Sequence, residues 1–120
     1  AMPLAVSIAA HSDLMASIEA EWTAAVSDLA CSDEYSPVVG NVQARPLVGA
    51  AALREDILSQ MRSRVRWTES VQFMAGQGVR NFVEVGTGTV LGGLIKRIVD
   101  GVSNHPLGNP ADFAIFQPSG

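Results

Sequence analysis

The chain has 120 residues, which favours a single domain, and its hydrophobic content of 48% excludes a disordered chain. Eight basic against twelve acidic side chains give a net charge of -4, which argues against nucleic acid as a partner because phosphate binding needs clustered lysine and arginine. No apolar run is long enough to span a bilayer, so no membrane partner is expected. The single cysteine, Cys31, cannot form an internal disulfide, and we expect a cytoplasmic location.

The first half of the chain alternates predicted strands and helices. Alternating apolar residues predict a strand over residues 4–9, which ends just before His11. Ser12 suits a helix N-cap, and apolar residues at helical spacing after it predict an amphipathic helix of about four turns. A short β-branched segment bounded by turn residues predicts a buried strand over residues 37–42. Apolar residues over 53–61 predict a second helix.

The second half contains a predicted strand–turn–helix unit. A third helix begins at Trp67, and Gly78 is placed to end it in the left-handed conformation. A strand over 82–85 runs into a glycine turn and then a strongly apolar helix, with Gly101 beyond its end. The tail, residues 103–120, carries two prolines before residue 113 and predicts a loop with at most a short edge strand over residues 113–116. Strands alternating with helices predict an α/β fold with parallel pairing.

Two positions in this pattern could carry chemistry. His11 follows a predicted strand end, where open α/β sheets place reactive groups, although a lone histidine is more often structural. The turn at residues 86–88, Gly-Thr-Gly, could cradle a phosphate at a helix N-terminus, although glycines in such turns more often serve backbone geometry. Arg62, Arg64 and Arg66 indicate a solvated connection between helices rather than a phosphate-binding patch. No spacing of histidine, cysteine and carboxylate residues indicates a metal site.

Five motifs, taken in chain order, resemble the bacterial malonyl-CoA:acyl carrier protein transacylases. They are SIAAHSDLM at 7–15, VVGNV at 38–42, VRWTESV at 65–71, QGV at 77–79 and EVGTGTVLGGLIKR at 84–97. The resemblance implies that residues 1–102 are the carboxy-terminal portion of an acyltransferase domain. The implied fold is part of an α/β-hydrolase-like large subdomain, beginning at the last strand of a ferredoxin-like small subdomain.

The resemblance also implies a set of site residues. In this family a serine in a sharp strand-to-helix elbow attacks the thioester, and a histidine serves as its base. An imidazole has an ordinary pKa near 6.5 and can accept a hydroxyl proton at neutral pH. The resemblance places this base at His11, the main-chain carbonyl that holds it at Gln60, and a nearby asparagine with an indirect, substrate-binding role at Asn41. It implies no cofactor and no metal beyond the substrates, malonyl-CoA and phosphopantetheine-bearing acyl carrier protein.

The chain departs from the family in what it lacks. It contains no Gly-x-Ser-x-Gly elbow, so the resemblance implies that the nucleophile lies in a missing amino-terminal portion of the enzyme, which is then a partner of this chain. The isolated chain is accordingly predicted to be inactive. Thr87, Thr89 and Arg64 also stand where the family commonly has proline, lysine and proline. Two alternatives remain open, namely a noncatalytic acyltransferase-like binding module and part of a discrete polyketide-synthase acyltransferase.

Overall fold

The computed structural model describes residues 10–115, so the strand predicted over residues 4–9 lies outside the described residues. The chain divides into two compact units, Ala1–Ser70 and Val71–Gly120. Helices and short β-strands occur in both units, in agreement with the predicted α/β class.

The first helix among the described residues of the first unit is a 3-10 helix, Asp13–Ile18, which continues directly into helix α1, Glu19–Ser27. Ser12 occupies the predicted N-cap position with an extended backbone, φ -144° and ψ 165°. The predicted amphipathic helix is therefore present, but its first part is wound more tightly than an α-helix. Within α1 only Val26 is buried, so most of the predicted apolar stripe stays partly exposed.

A small antiparallel ribbon follows, made of strand β1, Val38–Val39, and strand β2, Pro46–Leu47. The buried strand predicted over residues 37–42 is wrong, because only two of those residues pair and neither of them is buried. The reason is a tight turn after β1, in which the Gly40 amide donates to the Arg45 carbonyl at 2.9 Å. The chain therefore pairs with its own continuation instead of joining a central sheet.

Helix α2, Gly49–Gln60, corresponds to the second predicted helix and begins earlier than predicted. A carboxylate from the preceding loop caps its first turn, since Asp33 Oδ1 accepts the Ala50 amide at 2.8 Å. Helix α1 is tied to α2 by the Trp22 indole, whose Nε1 donates to the Ile57 carbonyl at 3.1 Å. These contacts fix the position of α2, whose last residue is part of the candidate site.

Helix α3, Trp67–Gly76, ends as predicted. Gly78 has a φ of 94°, in the left-handed region that glycine adopts without steric cost. The Val79 amide then donates back to the Met74 carbonyl at 3.1 Å, which is the 6→1 bond of a Schellman motif. The glycine stop read from the sequence is confirmed.

The second unit contains a complete β–α–β connection. Strand β3, Asn81–Val85, leads through the glycine turn into helix α4, Val90–Ile98, and the chain returns as strand β4, Ser103–Leu107. The two strands pair in parallel, which confirms the predicted pairing for this part of the chain. Gly101, with a φ of 70°, lies between α4 and β4.

The loop predicted for the tail is wrong for much of its length. Residues 103–107 form β4, and a fifth helix, α5, spans Pro110–Ile115. The α5 start is capped by Asn109, whose Oδ1 accepts the Ala111 amide at 3.1 Å. Asp112 adds a second cap, because its carboxylate accepts the Asn109 amide at 2.9 Å. Of the predicted edge strand over 113–116, the described residues are helical and the last lies outside the description.

Apolar side chains remain exposed on β3 and α4. They are Val83 at 40%, Val85 at 77%, Val90 at 72%, Leu91 at 42% and Leu94 at 36%. Parallel strands in folded α/β proteins normally have both faces covered. In the part of the chain that the structure describes, these faces of the second unit are not covered.

Candidate active site

His11 lies in the turn directly before the 3-10 helix, and its side chain is half-buried. Its backbone has a φ of 63°, a left-handed conformation that few residues other than glycine adopt. Histidine, asparagine and aspartate tolerate this region better than most side chains. The turn therefore directs the imidazole by a backbone conformation that suits its residue type.

The imidazole contacts the end of α2. His11 Nδ1 lies 2.5 Å from the main-chain oxygen of Gln60, the last residue of that helix. A carbonyl oxygen can only accept, so Nδ1 carries the hydrogen and Nε2 keeps its lone pair. The last carbonyls of a helix have no partner within the helix, and His11 supplies one from 49 residues away. The contact that the resemblance implied between these two residues is present, with a nitrogen free to accept a proton.

Asn41 reaches the same place through the side chain of Gln60. Its Nδ2 donates to Gln60 Oε1 at 2.9 Å, and its main-chain oxygen accepts the Arg66 amide at 2.9 Å. Asn41 thus contacts the glutamine whose carbonyl holds His11. The structure brings all three predicted site residues together within the first unit.

A fourth residue of this cluster, Asp56, was not singled out in the sequence. Its side chain is buried, and its two carboxylate oxygens accept the amides of Asn41 at 3.2 Å and Val42 at 3.1 Å. Asp56 lies one helical turn before Gln60, so the two face the same side of α2. That i, i+4 spacing was the available signal, but an acidic residue on a helix usually indicates a solvated face.

The three arginines form ion pairs, of which those of Arg62 and Arg64 are exposed and that of Arg66 is partly buried. Arg62 pairs with Asp13 at 2.9 Å and with Glu19 at 3.2 Å, and the hydrogen bond to Asp13 is the main cause of its raised pKa. Arg64 and Arg66 both contact Glu69, at 3.3 Å and 3.1 Å. The backbone amide of Glu69 and then the Arg66 guanidinium lower the pKa of that carboxyl. This agrees with a solvated connection between helices.

The glycine turn at residues 86–88 precedes helix α4, and a carboxylate of the same chain accepts two amides of that helix's first turn. Gly86 and Gly88 have φ angles of 135° and 95°, which only glycine adopts readily. The first amides of α4 are taken by Glu84, whose carboxylate accepts from Leu91 at 3.0 Å and from Gly92 at 2.8 Å. The geometric role of the glycines is therefore supported, and two of the amides that a phosphate at this helix N-terminus would use are already bound to a carboxylate.

Residues 10–115 contain no group of three or more histidine, cysteine, aspartate or glutamate side chains placed to hold a metal ion. Cys31 is a free, half-exposed thiol. His105 is exposed on β4. Within the same residues, none of the helices has the length and apolar character needed to cross a membrane.

Comparison with protein-family models gives no match to this chain. Among curated proteins, a malonyl CoA-acyl carrier protein transacylase of Salmonella typhimurium is 40% identical over 111 residues, which are 92% of this chain and 36% of the relative. The malonyl-CoA:acyl carrier protein transacylase of Xanthomonas oryzae superimposes with a TM-score of 0.85 at 41% identity, over 92% of this chain and 35% of that one.

A third match is a structure of a type II polyketide synthase acyl-carrier protein in complex with its malonyl-transacylase. It has a TM-score of 0.87 and 35% identity, covering 94% of this chain and 37% of that one. The chain thus spans little more than a third of the length of the relatives it matches. Sequence and structure agree over nearly the whole chain, which is therefore homologous to a portion of the malonyl-CoA:acyl carrier protein transacylases.

Proposed function

We propose that this chain supplies the general base of a malonyl transacylase. The proposed reaction moves a malonyl group from coenzyme A to the phosphopantetheine thiol of acyl carrier protein, for type II fatty acid synthesis. The names of the relatives support the reaction, and the hydrogen bond from His11 to the Gln60 carbonyl supports the role of His11. That hydrogen bond is the observation on which the proposal depends, because it leaves Nε2 able to take a proton.

The proposed mechanism has two half-reactions that share one base. Nε2 of His11 accepts the serine hydroxyl proton as the oxygen attacks the malonyl thioester, and the imidazolium returns that proton to the departing coenzyme A thiol. The phosphopantetheine thiol then gives its proton to Nε2, attacks the acyl-serine and leaves with the malonyl group. The serine hydroxyl recovers the proton, so each half-reaction starts and ends with a neutral imidazole.

Gln60 orients the imidazole in place of the carboxylate of a Ser-His-Asp triad. A carbonyl at a helix C-terminus carries part of the negative end of the helix dipole, which favours the imidazolium that forms in each half-reaction. The acceptor belongs to the main chain, so its supply does not depend on the side chain at position 60.

Gln60→Ala in a complete transacylase is therefore expected to keep most of the activity, with a loss of a few-fold at most. The alanine retains the carbonyl that accepts from His11 and loses only the side-chain contact with Asn41. Steady-state malonyl transfer measures the effect, with wild-type enzyme assayed alongside. A loss as deep as that caused by removing the imidazole would show that the side chain carries the role.

The rest of the active site is proposed to lie in the other two thirds of a longer enzyme. We place this chain at the carboxy-terminal end, with residues 1–102 in the acyltransferase domain, entering at the last strand of the ferredoxin-like subdomain and returning to the α/β-hydrolase-like subdomain. The exposed apolar side chains of β3 and α4 support a covering partner of this kind. The relatives are nearly three times as long as the matched segment, which supplies such a partner.

Acyl carrier protein is the proposed acceptor, because one structural neighbour is a transacylase in complex with such a carrier. We propose no cofactor, since the transfer described above balances with the two thioester partners alone. A cytoplasmic location is part of the same proposal.

The proposal is tested by giving a complete transacylase that carries this sequence malonyl-CoA and the phosphopantetheine-bearing carrier. Malonyl-carrier should form and be detected by intact mass. The matched control is the carrier without phosphopantetheine, which has no acceptor thiol and should stay unmodified. Acetyl-CoA as the donor measures acyl selectivity. A folded enzyme that transfers nothing would favour the noncatalytic binding module instead.

A further inference from the structure

The cluster around His11 contains a buried carboxylate that touches neither the imidazole nor its carbonyl partner. Asp56 is 8% exposed, and both of its oxygens are directed at backbone amides of the segment that follows β1. A buried carboxylate is costly unless it is fully hydrogen-bonded, and two amide donors are the partners that satisfy it. The bonds hold residues 41 and 42 against α2.

The fit around this carboxylate leaves no spare room. A Cβ placed on Gly40 would lie 2.5 Å from Asp56 Oδ1 and 2.8 Å from the Leu47 side chain, so position 40 must be glycine for the carboxylate to sit where it does. Gly40 is also the residue whose amide closes the turn to Arg45. Gly40 therefore takes part in the turn and leaves the space that the carboxylate fills.

These bonds continue to His11 in three steps. Asp56 accepts the backbone amide of Asn41 and so holds that residue in place. The side-chain amide of Asn41 then donates to Gln60 Oε1 at 2.9 Å, and the main-chain carbonyl of Gln60 accepts from His11 Nδ1. Asp56 and Gln60 share one face of α2, so the turn is gripped at two points one helical turn apart. The end of α2, where a helix would otherwise fray, is thereby held in one orientation.

We propose that Asp56 is a positioning residue for His11. It acts through the side chain of Asn41 and through Gln60, the last residue of α2. It touches neither substrate nor base and sets the direction of the carbonyl that selects the Nδ1–H tautomer. The role as a positioning residue in catalysis rests on the proposed function, whereas its effect on the imidazole is a property of this chain alone.

The test reads the two ring nitrogens of His11 by nitrogen-15 NMR in the 120-residue chain. Wild type should show Nδ1 protonated and Nε2 unprotonated in the neutral imidazole. In Asp56→Ala the ratio of Nε2–H to Nδ1–H should rise roughly three- to tenfold, the range expected when one hydrogen bond is weakened. Gly40→Ala should change the ratio in the same direction, because its Cβ displaces the carboxylate.

Two controls separate this effect from a general loss of structure. Glu55→Ala removes the exposed neighbouring carboxylate on α2 and should leave the His11 signals unchanged. His105, on β4 of the second unit, is an internal reference whose signals should stay constant in every variant. If Asp56→Ala does not fold, Asp56→Asn serves, since it keeps one acceptor oxygen and should give a smaller change of the same sign.

The route is tested by Asn41→Ala, which keeps the carboxylate anchor and removes the contact with Gln60. It should reproduce the Asp56→Ala change, and an unchanged ratio there would overturn the route. Folded Asp56 variants with wild-type His11 signals would overturn the proposal itself.

A complete transacylase adds a kinetic readout, in which Asp56→Ala should lower kcat a few-fold and leave KM for malonyl-CoA unchanged. The NMR measurement needs no substrate, so failure of the proposed reaction would not be mistaken for failure of this inference.

Discussion

Replacing His11 with alanine in a complete transacylase should lower malonyl transfer by about 100- to 10,000-fold, the range for loss of a general base. The serine hydroxyl is a weak nucleophile unless its proton is taken, and His11 Nε2 is the proposed acceptor in both half-reactions. The hydrogen bond to Gln60 holds the imidazole at Nδ1 and leaves Nε2 for this role. The rate of malonyl-carrier formation measures the loss.

The left-handed backbone at His11 determines the best second variant. Alanine at a φ of 63° is strained, whereas asparagine tolerates this region and cannot accept the proton as imidazole does. His11→Asn should therefore be as inactive as His11→Ala and at least as stable to thermal unfolding. His105→Ala, the matched control at the other histidine, should retain wild-type turnover. Near-normal turnover by a folded His11 variant would exclude this residue as the base.

The 120-residue chain incubated alone with malonyl-CoA should gain no malonyl group. Acyl transfer needs a nucleophile, a base and oxyanion donors around one thioester, and only the base is recognisable here. None of the serines in the sequence lies in a Gly-x-Ser-x-Gly elbow. Ser70 is buried on α3 and donates to the Arg66 carbonyl at 3.0 Å, Ser12 is the N-cap of the 3-10 helix, and Ser7 is not described.

Intact mass after incubation with malonyl-CoA is the direct measurement. The complete transacylase is the positive control and should show one added malonyl group. A stoichiometric adduct on the short chain would refute the proposed division of the active site. The uncovered faces of β3 and α4 also lead us to expect self-association of the isolated chain, which light scattering would detect.

The elements predicted correctly are those whose signals are local. Gly78 could be identified as a helix stop because a left-handed residue after a helix is nearly always glycine, and the structure has it there. Helix α4 carries its apolar residues at helical spacing and Gly101 beyond its end. Such signals depend on residues within one or two turns of each other, which a sequence displays directly.

Elements that depend on distant partners were missed. Strand β4 contains Pro106 and lacks apolar alternation, and it is a strand because β3 provides a parallel partner 22 residues away.

Helix α5 did carry a local signal, since Asn109 before Pro110 is an N-cap followed by proline at the first helical position. Two nearby prolines were interpreted as loop residues, which hid that signal.

The sequence and the family resemblance predicted some residues of the site and missed others. Composition and spacing alone indicated only that His11 follows a predicted strand. The contact with the Gln60 carbonyl was predicted from the family resemblance. The contact itself joins residues 49 apart and involves a main-chain atom, which no side-chain pattern indicates. Asp56 was predicted neither from the residue pattern nor from the resemblance. Its partners are backbone amides of the turn after β1, and the sequence does not show that this turn contacts α2.

The acceptor that orients His11 is a main-chain oxygen, and every amino acid carries one. A point substitution at position 60 therefore cannot delete it. Inserting one residue into α2 acts differently, because each helical residue turns the backbone about 100° and advances it about 1.5 Å. An insertion just before Gln60 would rotate its carbonyl away from the imidazole and its side chain away from Asn41, although every residue type of the site would be unchanged. Insertions and deletions in this part of α2 are therefore expected to disturb the orientation of His11 more than substitutions at position 60. A mutational survey limited to substitutions would not detect this effect.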